Sequence, residues 1–451
     1  MQTRILGAFI ALACTGALLM VPSTTSAAAA TPTCDGKLAT IVVPAPPAGA
    51  WQSDPVVGTA GDDVIVGTDL PDTIDGAGGN DTICGLEGND HLIGGSGDDR
   101  LFGGLDGAYF PDDDYFGDRI EPGPGDDHVD LGHDPQGQDL YDVDRGYWDQ
   151  VSFRKATGPV VVDLAAGTAT GEGTDTIAPI VHAAGIEGSP HDDVLSGTEG
   201  DDWIAAGGGD DVVHARGGHD LVDADRYSDE SLRGGGTTPG DDVVDGGEGR
   251  DQLHGGHGAD VIRGGRGRDT VWADEATGTV HGDEGRDYLA VGGSATIFGG
   301  KHADTLVPGV ERGSHRMVVR GGPGRDVLGL DTSLTVLPHR SRLVVGDRRG
   351  TIRIPGKGPV VRFGSTEVFR PQSIASSVRL TWFGTGRADV LDMGMHDGPV
   401  RAYGRGGKDR LLGGFGNDLL DGGPGRDRVD GSDGRDRCLR AERVRQCERR
   451  R

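Results

Sequence analysis

The chain has 451 residues, 83 of them Gly and only 5% aromatic, which excludes a conventional layered core and, with no three-residue period, excludes collagen. Its net charge of −28 is divided: residues 301–451 carry 29 Lys and Arg against 18 Asp and Glu, a net +11, which leaves −39 for residues 1–300. So acidic a half repels phosphate and repels itself when compact, which excludes nucleic-acid binding there and calls for bound counter-cations.

Residues 1–28 have the pattern of a secretory signal: Arg4, an apolar stretch Ile5–Val21, then small residues with Ser26-Ala27-Ala28 or Ala28-Ala29-Ala30 as cleavage sites. No other segment is long and apolar enough to span a bilayer as a helix. Residues 29–57 are a Pro/Ala-rich leader (Pro44, Pro46, Pro47, Pro55). Beyond the signal stand Cys34, Cys84, Cys438 and Cys447, an even set that suits two extracellular disulfides with three possible connectivities. Loop-closure entropy favours the local pairs Cys34–Cys84 and Cys438–Cys447, one sealing each end of the fold.

From residue 58 a nine-residue unit takes over. Asp63, Asp72, Asp81, Asp90 and Asp99 are evenly spaced; Gly61, Gly79, Gly88 and Gly97 precede four of them by two places, and Ile65, Ile74, Ile83, Leu92 and Leu101 follow by two. The unit returns at Asp193, Asp202, Asp211 and Asp220, at Asp242, Asp251, Asp260, Asp269 and Asp287, and at Asp409, Asp418, Asp427 and Asp436. The expected organisation is a first β-roll with an acidic, aromatic insert over 58–139, a β coil without metal turns over 140–187, second and third rolls over 188–329, a basic β-rich segment over 330–383, a C-terminal roll over 384–439 and an Arg-rich tail over 440–451. Asp127 is an isolated unit, and Asp304 and Asp326 continue the pattern with slipped spacing.

The period predicts an all-β fold, a parallel β-roll or β-helix in which two units make one coil. Asp residues two units apart then stack on one edge, with neighbouring strands about 4.8 Å apart. Stacked carboxylates repel unless a hard cation sits between them. Ca2+ takes carboxylate and carbonyl oxygens at variable geometry, whereas Mg2+ demands a tight octahedron and keeps its waters. All eighteen repeat aspartates named above from Asp63 to Asp436, leaving aside Asp127, Asp304 and Asp326, are therefore candidate Ca2+ ligands, for roughly ten cations. Leu70, His191, His302 and Arg387 replace the turn glycine of their units.

Units such as Gly94-Gly95-Ser96-Gly97-Asp98-Asp99-Arg100-Leu101-Phe102 and Gly413-Gly414-Phe415-Gly416-Asn417-Asp418-Leu419-Leu420-Asp421 resemble the haemolysin-type (RTX) calcium-binding repeat, Gly-Gly-x-Gly-x-Asp-x-aliphatic-x. The resemblance implies a parallel β-roll with multiple Ca2+ in its turns and folding triggered by calcium outside the cell. Many members lack an N-terminal signal and attach the repeats to a toxin, protease or lipase domain; here a signal pattern is present and the repeats begin almost directly after the leader.

Motifs for common chemistry are missing. The sequence holds no His-Glu-x-x-His, no Gly-x-Ser-x-Gly and no phosphate loop ending in Gly-Lys-Ser/Thr. The expectation is a secreted, non-catalytic calcium-binding protein whose partners are calcium ions and cell-envelope or matrix polymers. The competing readings are a polysaccharide lyase or epimerase with its site near 105–164, and a cell-surface adhesin or toxin fragment.

Overall fold

A computed structural model describes residues 31–448 except 48, 106–115, 133–147, 181–183, 226–238, 274–277, 310–316, 331–341, 346–350, 354–358, 365–367 and 372–377. The signal pattern, most of the acidic insert (Tyr109–Tyr115) and most of the polar loop 224–236 lie outside the described residues. No helix among the described residues is long and apolar enough to cross a membrane.

The chain winds into a parallel β-solenoid with two facing sheets. Strands of three residues recur because the unit offers little more between its turns: Thr73–Asp75, His91–Ile93 and His128–Asp130 each expose the outer residues to some degree and bury the central one. Alternate units go to alternate sheets. In the first sheet Ile65 lies opposite Ile83, Ile83 opposite Leu101, and Leu101 opposite Val129. In the second, Ile74 lies opposite Leu92, Leu92 opposite Ile120, and Ile120 opposite Val151. These residues have no exposed surface, and burying each contributes about 1.5–3 kcal/mol. The aliphatic at Asp+2 is thus the recurrent core residue of each half-coil, joined in some by a second small side chain such as Ala215 or Ala224.

Two segments depart from simple winding. Thr174–Ile177 pairs in parallel with His128–Asp130, while Val161–Asp163 pairs in parallel with Val194–Ser196. Thr168–Thr170 lies between them, antiparallel to both. The segment 140–187 therefore splices a three-stranded meander into the first sheet, with Val162, Ala169 and Ile177 buried. The basic segment repeats the device: Pro359–Gly364 pairs with Met317–Arg320, Arg342–Val345 with Arg379–Phe383, and Thr351–Arg353 bridges them antiparallel. An odd number of antiparallel strands leaves the outgoing strand parallel to the incoming one, so the winding resumes in register.

Both ends are tied covalently. Cys34, beside a short hairpin of Thr33–Cys34 and Lys37–Leu38, is bonded to Cys84 in the first sheet, with Cα atoms 5.8 Å apart. Cys438, on the last strand of that sheet, is bonded to Cys447, with Cα atoms 5.9 Å apart.

Candidate metal sites along the turn edges

Each repeat Asp ends a turn and points its carboxylate along the solenoid edge. The N–H of Asp63 donates to Oδ1 of Asp81, that of Asp81 to Asp99, and that of Asp99 to Asp127, at 2.7–2.8 Å. On the opposite edge Asp72 donates to Asp90, Asp90 to Asp118 and Asp118 to Asp149, all at 2.8 Å. One oxygen of each carboxylate thereby satisfies the backbone of the coil before, which the strand ladder leaves open at this position.

The ladders bring together all the aspartates expected from the sequence. Asp193, Asp211, Asp242 and Asp260 follow one another on one edge, and Asp202, Asp220, Asp251, Asp269 and Asp287 on the other. Asp409 donates to Asp427, and Asp418 to Asp436. The ladders also recruit residues that spacing did not reveal. Asp118, Asp149 and Asp175 join across the inserts. Asp389, whose unit carries Arg387 in place of the turn glycine, donates to Asp409. Asp304 and Asp326 extend the second edge despite their slipped spacing. A signal existed: Ile120, Val151, Ile177 and Leu391 stand two places after Asp118, Asp149, Asp175 and Asp389, as an aliphatic does in every regular unit but that of Asp436, where Cys438 stands.

The other oxygen, Oδ2, divides the turns into two kinds. In closed turns the residue four places before the Asp donates its N–H to Oδ2: Thr59 to Asp63 at 2.7 Å, Thr68 to Asp72 at 2.6 Å, Ser189 to Asp193 and Thr198 to Asp202 at 2.5 Å, Thr385 to Asp389 at 2.6 Å and Gly414 to Asp418 at 2.9 Å. The Thr and Ser hydroxyls add a second bond to the same carboxylate. In open turns that N–H does not reach Oδ2, and the oxygen is buried with no hydrogen-bond partner at Asp81, Asp99, Asp127, Asp175, Asp211, Asp220, Asp242, Asp251, Asp260, Asp269, Asp287, Asp304, Asp409, Asp427 and Asp436.

Backbone conformation explains the division. Four places before an open-turn Asp the chain is left-handed, even without glycine: Ala77 has φ 73°, Leu86 91°, Arg216 77°, Asp283 65°, Arg405 72° and Ser432 67°. That conformation turns the N–H away from Oδ2. None of Thr59, Thr68, Ser189, Thr198, Thr385 or Gly414 has positive φ. Ser432 shows that a hydroxyl residue at this position does not suffice to close the turn.

An unpaired buried carboxylate oxygen is costly. Burial first, and neighbouring carboxylates after it, push Asp99 up to about 7, Asp211 to about 8, Asp220 to about 9 and Asp287 to about 8. At Asp63 desolvation is outweighed by the hydrogen bonds from Thr59 and Thr40, so its carboxyl sits below the usual range. Closure does not always win: Asp202, deeper in the fold, is raised to about 7 by burial.

The bare oxygens meet other acceptors. A Cβ on Gly76 would stand 2.4 Å from Oδ2 of Asp81 and 2.5 Å from the carbonyl oxygen of Gly94 in the next coil. Two acceptors converging with no donor between them fit a hard cation. Among the described residues no three His, Cys, Asp or Glu side chains gather into a ready cage. A cation here would complete its shell with backbone carbonyls or water, which suits Ca2+ and not Zn2+.

The model of the RTX calcium-binding nonapeptide repeat (four copies) matches residues 57–92, 85–107, 187–222, 237–271 and 403–438. Those segments contain both kinds of turn. No curated protein matches the chain.

Proposed function

We propose that this chain, a β-solenoid carrying RTX calcium-binding nonapeptide repeats, is a secreted structural protein whose open turns hold Ca2+ and which has no catalytic activity of its own. The observation that carries the reading is the row of buried, unpartnered Oδ2 atoms on both edges. Calcium goes to the open turns, where Oδ2 has no internal donor. The closed turns at Asp63, Asp72, Asp193, Asp202 and Asp389, and the backbone-closed turn at Asp418, satisfy both carboxylate oxygens internally and hold no cation of their own. Those with Thr or Ser stand at 58, 188 and 384, so the first, second and C-terminal rolls start from turns that need no metal, while the third starts from the open turn of Asp242.

Extracellular modules bind Ca2+ at about 10⁻⁴–10⁻³ M, a range that fits a protein folding only after export. The signal pattern of residues 1–28 and the two disulfides support that compartment. Cell-envelope or matrix polymers are the partners such a scaffold would serve.

The non-catalytic reading draws support from the face near 105–164. Glu121 lies within hydrogen-bonding distance of His91 and Lys155 and beside Arg119. Although burial opposes it, these partners hold its carboxyl at about 2, unsuitable for a general acid. Glu187 is buried against Arg119 and Ser152. Circular dichroism tests the proposal: the chelated chain should be largely unstructured and gain strand signal at about 1 mM Ca2+. Equal spectra with and without calcium would defeat it.

A further inference from the structure

The C-terminal roll presents a face whose charges the turns do not use. Lys408 and Arg426 immediately precede Asp409 and Asp427. Arg410 lies opposite Arg428 and Arg428 opposite Arg443, in register on the second sheet, with Arg445 two places further along the last strand. All six are exposed, and none makes an ion pair with another described residue. Some described cations elsewhere do find partners: Arg266 with Glu248, Lys301 with Glu284, Arg370 with Asp392, Arg440 with Asp421.

Like charges on directly opposed strands are destabilising, and here three arginines are stacked rung on rung at about 4.8 Å. Among the described residues no acid forms an ion pair with Arg410, Arg428 or Arg443: Asp409 and Asp427 are buried in the turn edge, Asp430 stands opposite Arg445 two places along the strand, and Glu442 accepts the N–H of Asp427. Calcium in the turns of Asp409 and Asp427 would cancel their charge and raise the positive potential further.

We propose that this face binds a linear acidic polysaccharide, laid along the solenoid axis with its carboxylates or sulfates on the rungs of Arg410, Arg428 and Arg443. This names the site and chemistry of the polymer partner suggested above and rests on that reading. Guanidinium forks bind carboxylate and sulfate oxygens two at a time. A single thin chain can follow one file of charge. A membrane plane or long duplex would also meet residues 1–300, which carry −39 and repel it. Among the described residues no aromatic pair lies on these rungs to stack a base; Phe383 with Tyr403 is on the other sheet.

The test is fluorescence anisotropy of labelled chondroitin sulfate with the full chain at about 1 mM Ca2+, with calcium uptake measured on the same sample. The unaltered chain should bind, and raising salt should weaken binding. The triple variant Arg410→Gln, Arg428→Gln, Arg443→Gln should bind at least about tenfold more weakly with calcium uptake unchanged. Arg266→Gln should bind like the unaltered chain. The inference is overturned if the unaltered chain takes up calcium but not the polymer, if the triple variant binds equally, or if duplex DNA or phosphatidylglycerol vesicles bind more tightly. Absence of calcium uptake in the unaltered chain would sink the calcium reading and this inference with it.

Discussion

The hydroxyl of Thr59 donates to Oδ2 of Asp63 at 2.8 Å, the same oxygen that takes the Thr59 N–H at 2.7 Å. The hydroxyl oxygen also accepts the N–H of Gly61. One side chain thus locks a turn that, one coil later, is left unlocked at Ala77 and Asp81. Metal-independent and metal-requiring turns follow from that local choice.

Thr198→Val removes such a lock, since the Thr198 hydroxyl bonds Asp202 and accepts the N–H of Gly200. It should cost the calcium-loaded protein about 0.5–1.5 kcal/mol, seen in thermal or denaturant unfolding. Calcium stoichiometry by isothermal titration should not change. A lost cation would mean that closed turns bind metal after all.

Asp81 receives the Asp63 N–H, donates its own to Asp99, and keeps a bare Oδ2. Asp63 has no bare oxygen. Asp81→Ala should therefore lose calcium from the first roll and destabilise it more than Asp63→Ala, which should retain the full calcium count. Equal losses from both would contradict the division of turns.

The raised carboxyls of Asp99, Asp211, Asp220 and Asp287 set a pH dependence for the calcium-free chain. A folded-state value above the unfolded one, near 3.8, gives stability that is complete below the unfolded value. It is lost as pH rises through the folded values of about 7, 8, 9 and 8. In chelator, acidification from about pH 8 to about pH 4.5 should restore strand signal, and the calcium midpoint should move to higher concentration as pH falls. A spectrum indifferent to pH in chelator would argue against buried stacked carboxylates.

Ala77 holds φ 73°, a conformation costing an L-residue roughly 1 kcal/mol and glycine nothing. Ala77→Gly should stabilise the loaded protein by up to about 1 kcal/mol, less the extra flexibility of glycine in the unfolded chain, and Ala77→Val should destabilise it. Chemical denaturation in calcium checks both signs.

Much of this was legible in the sequence. The fixed offset from Asp to Ile65, Ile74 and Ile83 announces the inward row, and the spacing assigns alternate units to opposite edges. The local disulfide pairs follow from chain closure. What escaped depended on continuity in space. A solenoid tolerates an insert at a turn provided the next Asp lands on the same edge, so Asp118 and Asp175 keep their ladder places while losing their spacing. The meanders at 161–177 and 342–364 escaped because strand propensity does not reveal pairing direction. The two kinds of turn were half-visible: threonine stands at 59, 68, 198 and 385, but its meaning rests on a dihedral angle that separates Thr385 from Ser432.

The most direct test is equilibrium dialysis of calcium against the chain lacking residues 1–28, with its shape followed by small-angle scattering. Uptake of on the order of ten Ca2+ per chain, with collapse of the elongated solenoid on chelation, is the outcome expected. No uptake, or a shape that chelation leaves unchanged, would contradict the assignment of divalent cations to the bare Oδ2 rows.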